Sequence, residues 1–67
     1  MKVLVRDEKT GQYLGHDGTW VTQPNDGLGF ASLHAAAAKA REQENCDVVL
    51  RYEEPPYELV LNPAYCA

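Results

Sequence analysis

Residues 32–44 read SLHAAAAKAREQE, and the spacing within this stretch decides the fold class. Leu33, Ala36, Ala37 and Ala40 recur at i, i+3, i+4 and i+7, the repeat of one face of an α-helix, while Lys39, Glu42 and Gln43 fall on the water side. A helix is predicted over Leu33–Glu44. Ser32 stands just before it, where its hydroxyl can accept a first-turn amide and cap the helix. No glutamate follows three residues later, so the capping box is incomplete. Asn45 suits the left-handed conformation that ends a helix. Because the stripe is mostly alanine, the helix axis can approach a sheet closely, and the large core side chains must come from strands. Phe30 and Leu33 are expected to anchor the first turn.

Strands are predicted on both sides of this helix. Upstream, Lys2–Arg6 is a β-branched run followed by the turn-forming Asp7-Glu8-Lys9-Thr10-Gly11. Gln12–Leu14 and Thr19–Thr22 flank Gly15-His16-Asp17-Gly18, and Asp-Gly favours a type I′ turn. A turn centred on His16-Asp17 sets Leu14 opposite Thr19 and Tyr13 opposite Trp20. Residues 23–29, QPNDGLG, combine proline, glycine and side-chain turn formers and read as a loop. Downstream, Val48–Tyr52 and Tyr57–Leu61 read as strands around Glu53-Glu54-Pro55-Pro56, where the prolines are expected to exclude regular pairing. Alternation puts Tyr57, Leu59 and Leu61 on the core face and Glu58 outside. The order is ββ(β)αββ, an α+β fold with an antiparallel sheet and one helix packed on one face. Residues 1–61 form a single domain; residues 62–67 are a tail expected to fray unless Tyr65 docks.

Composition narrows the function classes. Hydrophobic residues make up 45% of the 67 positions and charged residues 24%, the balance of a folded globular chain. Ten acidic against six basic residues leave a net charge of −4 and a pI near 4.9, which opposes attraction to nucleic acid. No apolar run approaches the roughly 20 residues needed to span a bilayer, and the start MKVLVRDEK lacks a secretory leader's apolar stretch. The expected setting is the cytoplasm, without membrane or nucleic-acid partners. There Cys46 and Cys66 default to thiols; a bridge between them is the alternative if the protein is exported.

Chemistry-bearing residues are sparse. Tyr13, His16 and Trp20 lie within YLGHDGTWV and form a candidate ligand or carbohydrate platform, although two aromatics on a hairpin more often brace it. His16 and His34 read as surface residues, and no CxxC, HxxxH or HExxH spacing points to zinc. Cys46 follows the C-terminus of the helix, where the dipole disfavours a thiolate nucleophile. Gly27-Leu28-Gly29 lacks the further elements of a phosphate-binding loop and reads as loop flexibility. Tyr52, Glu53, Glu54 and Tyr57 bracket an acidic, proline-containing hairpin tip, a candidate contact surface for a protein partner. No catalytic constellation, metal or cofactor is expected.

Two resemblances accompany this reading. GQYLGHDGTWV followed by FASLHAAAAKA, over residues 11–40, resembles uncharacterised small bacterial and phage proteins with a G-x-Y-L hairpin, a G-x-W strand and F-x-S before an alanine-rich helix. That resemblance implies an αβ mini-domain and no particular site. The strand-strand-strand-helix opening is also similar to HicB-type antitoxins, although the chain departs from them in lacking their proline-glycine signature and DNA-binding tail. The sequence is therefore read as a non-enzymatic protein-protein interaction or regulatory module, with self-association favoured by its small size. A small-ligand or carbohydrate binder and an antitoxin-like component are the alternatives.

Overall fold

Among the described residues five strands and one helix follow the predicted order: β1 (Lys2–Asp7), β2 (Tyr13–Leu14), β3 (Trp20–Val21), α1 (Leu33–Glu42), β4 (Cys46–Glu53) and β5 (Pro56–Leu61). A short 3₁₀ turn, Pro24–Asp26, lies within the loop after β3. These elements come from a computed structural model that describes residues 1–43 and 45–63. Tyr65 and Cys66, and with them the docking of the tail and any Cys46–Cys66 bridge, lie outside the described residues. Among the described residues no helix is long and apolar enough to cross a membrane.

The strands form one antiparallel sheet in the order β3-β2-β1-β4-β5. At its centre β1 and β4 pair from Lys2 opposite Arg51 to Asp7 opposite Cys46. Val3, Leu4 and Val5 of β1 and Val48, Val49 and Leu50 of β4 are all buried, so these two strands are covered on both faces. The large core side chains do come from the strands, with Leu4, Val5, Val48 and Val49 fully enclosed.

Ser32 Oγ accepts the Ala35 amide at 3.1 Å and caps α1 as expected. Ala36, Ala37 and Ala40 are buried against β1 and β4. Leu33 is 38% exposed and leaves the predicted stripe. Phe30 takes the interior place beside it, tied to β1 by its amide to Val3 O at 2.8 Å and packed on the helix-side core. The helix ends at Glu42, two residues before the predicted limit, because Gln43 is already extended (φ −104°, ψ 148°). Asn45 adopts the expected left-handed conformation at φ +60°.

The β2–β3 hairpin departs from the expected type I′ turn. Gly15 O accepts the Gly18 amide at 3.3 Å, the Gly15 amide donates to Thr19 O at 2.6 Å, and Gly18 alone in the loop is left-handed, at φ +83°. This is a type I turn followed by a glycine bulge, with one more loop residue than a two-residue turn. Asp17 reinforces it by accepting the Thr19 amide at 3.2 Å and the Thr19 hydroxyl at 2.5 Å. The extra residue slips the register by one, so Leu14 faces Trp20 and Tyr13 faces Val21. A one-residue slip exchanges faces. Tyr13 and Trp20 are consequently not the predicted cross-strand pair. Gly18→Ala meets no neighbour but must hold a left-handed backbone, so it is expected to lower stability by about 1 kcal/mol, read by urea denaturation.

At the other end of the sheet the prolines do not interrupt pairing. Pro55 sits in the two-residue connection, with Glu54–Pro55 cis, and Pro56 opens β5 opposite Glu53. A proline at the first residue of an edge strand leaves the remaining ladder intact.

Candidate functional site

The predicted platform residues are dispersed. Trp20 is half-buried on the helix side, packed against the main core, and His16 is exposed in the turn. Tyr13 is buried on the opposite face with Leu4 and Val49, and Val21 packs alongside. His34 is exposed on the helix. Among the described residues no three histidine, cysteine, aspartate or glutamate side chains converge, and no concave pocket opens.

Tyr13 instead joins a polar assembly that spans the far face. Its hydroxyl donates to Glu58 Oε2 at 2.5 Å, Arg51 Nη1 lies 3.2 Å from the same oxygen, and Arg6 Nη1 lies 3.8 Å from Oε1. Glu58 therefore does not face open water as the alternation argument expected; two arginines and a phenol hold it on a partly buried surface. Burial, and then the Glu58 hydrogen bond and charge, push the Tyr13 phenol above its ordinary value. The loop after β3 seals the same face: Lys2 Nζ donates to Pro24 O and Asn25 O at 3.3 and 3.2 Å. A Cβ on Gly27 would stand 3.1 Å from Leu4 Cδ2 and 3.3 Å from Tyr13 Cβ, so this glycine permits close packing rather than loop freedom.

Cys46 opens β4 and is buried. Burial, followed by the charges of Asp7, Asp47 and Glu8, pushes its thiol up, which disfavours the thiolate form a nucleophile needs.

The exposed apolar surface is concentrated on β5. The helix packs on β1 and β4 rather than on β5, so Tyr57 and Leu59, expected in the core, are 44% and 47% exposed, and Leu61 is half-buried. Val60, on the far face, is 47% exposed as well. Tyr57 stacks on Tyr52 directly across the ladder, ring centroids 4.5 Å apart and planes within 10°. Glu53 and Glu54 project at the adjoining tip, so the four predicted contact residues are gathered at one end of the sheet.

Among the described residues no strand pairs with the outer edge of β5. An edge strand carries alternate backbone N–H and C=O groups outward, ready to accept another strand. Its only charged residue, Glu58, is engaged by Arg6 and Arg51, and the strand contains no lysine. The opposite edge differs, since β3 is only two residues long. This arrangement can add a strand through backbone hydrogen bonds while covering Tyr57, Leu59 and Val60. The tip is legible in the sequence, whereas the exposure of Leu59 and Val60 is not, because strand alternation identifies faces without telling how far across the sheet the helix reaches.

Comparison with known protein families, curated proteins and solved structures finds no match to this chain.

Proposed function

We propose that this chain is a non-enzymatic protein-protein interaction module that works by strand addition at β5. The observation that carries the reading is the coincidence of a six-residue edge strand, with no neighbour on its outer side among the described residues, and exposed Tyr57, Leu59 and Val60. Main-chain pairing supplies affinity in such a mode, and alternate side chains supply selectivity. The stacked tyrosines and the acidic tip extend the surface and favour a partner that offers basic groups beside its strand.

The test is a photoreactive amino acid placed at position 59 in cells that make the protein, with position 39 on the helix as control. A discrete cross-linked adduct from position 59 and none from position 39 is expected. No adduct at position 59, or the same adducts from both positions, would overturn the reading.

A further inference from the structure

We infer that the occupant of the β5 edge is the β5 of a second copy, paired antiparallel about a two-fold axis at Leu59; this rests on the strand-addition reading above. In an antiparallel pair, residues directly opposite share a face, so a two-fold pairing must be centred on one residue. Centring on Leu59 sets Leu59 against its own copy, Tyr57 against the copy's Leu61, and Glu58 against the copy's Val60. Tyr57, Leu59 and Leu61 already share the helix side of the sheet, in the ladder with Tyr52, Leu50 and Val48. The pairing would bury them as one continuous apolar strip between two helices.

Neighbouring registers fit less well. Centring on Glu58 opposes two carboxylates, which is destabilising for directly facing like charges. Centring on Val60 leaves only residues 59–61 of the strand overlapping and places Glu58 beside Asn62.

Charge favours the same arrangement. Arg41 Nη1 donates to Pro63 O at 3.2 Å, which fixes a guanidinium at the C-terminal end of β5. Antiparallel pairing brings the copy's hairpin tip, with exposed Glu53 and Glu54, alongside that end, because strands in a ladder lie only about 4.8 Å apart. The same contact forms twice, so each acidic tip meets one Arg41. A chain of net charge −4 can thus pair with itself along a strand whose single carboxylate is already neutralised by its own arginines.

The experiment is sedimentation equilibrium of the full chain over a concentration series, with amide exchange followed by NMR. Expected are a mass rising from 7.5 kDa toward twice that value and slowed exchange along β5 alone. Leu59→Lys and Leu59→Glu should each stay monomeric with a folded amide spectrum, since the site is exposed. Mixing the two should restore the dimer, because only the mixed pair sets opposite charges across the axis. A wild-type dimer unaffected by either variant, or a mixture that stays monomeric, overturns this pairing. A wild-type chain that is monomeric throughout overturns self-pairing while the position-59 cross-link, if it forms with a different chain, still upholds strand addition.

Discussion

Leu4→Ala is expected to remove most of the protein's folding stability. Leu4 is fully enclosed on the sheet face away from the helix, with Tyr13 and Val49, and Gly27 closes over its Cδ2. Truncating an enclosed leucine costs about 2–5 kcal/mol, the upper values arising where the surroundings cannot collapse. A domain of this size has only roughly 3–5 kcal/mol to lose. Leu59→Ala, by contrast, removes a half-exposed side chain and should cost less than about 1 kcal/mol in the monomer. Urea denaturation followed by circular dichroism checks both. A Leu4→Ala loss no larger than that of Leu59→Ala would mean that the far face is not a closed packing unit.

Glu58→Ala is the second large effect. It removes the acceptor of the Tyr13 hydroxyl and the counter-charge of Arg6 and Arg51 together. Both arginine Nε atoms are buried without a hydrogen-bond partner among the described residues, so the guanidiniums depend on this carboxylate. Breaking a buried pair costs about 3–5 kcal/mol. The arginine side chains here keep 25% and 27% of their exposure, and water screening brings the expectation down to about 2–3 kcal/mol. Glu58→Gln, which keeps an acceptor for Tyr13, should lose less.

The Tyr13 phenol provides an independent readout. Its folded pKa lies above the ordinary 10.0, so the stability it contributes is fully present below that pH and is lost as pH rises through the folded value. Burial is the largest cause and survives the substitution. The Glu58 hydrogen bond and charge do not survive, and the lowering by Arg6 and Arg51 is then opposed by burial alone. In Glu58→Ala the Tyr13 signal should therefore titrate at lower pH than in the parent, measured by NMR of labelled tyrosine. An unchanged titration would show that Glu58 does not govern this phenol.

Much of the fold is legible in local sequence because its causes are local. The alanine stripe, Ser32 as cap, Asn45 as terminator and the strand segments around them depend on propensity, capping and periodicity within a few residues. Even the two-sided burial of β1 and β4 leaves a signal in the unbroken Val3-Leu4-Val5 and Val48-Val49-Leu50, since a strand covered on both faces cannot alternate. The Gly15–Gly18 turn is ambiguous in sequence: a bulged turn and a two-residue turn accept the same residues, yet they differ by one register position, and the bulged turn sends Tyr13 and Trp20 to opposite faces.

What the sequence by itself determined is the order of elements, the helix face and the acidic tyrosine-bracketed tip. Tertiary structure alone decided that Glu58 joins Tyr13, a partner 45 positions away, and that β5 lies at the edge beyond the helix. The physical reason is geometric. Alternation assigns side chains to faces, but burial of a face depends on which strands one helix is wide enough to cover, and α1 covers β1 and β4 while leaving Tyr57 and Leu59 in water.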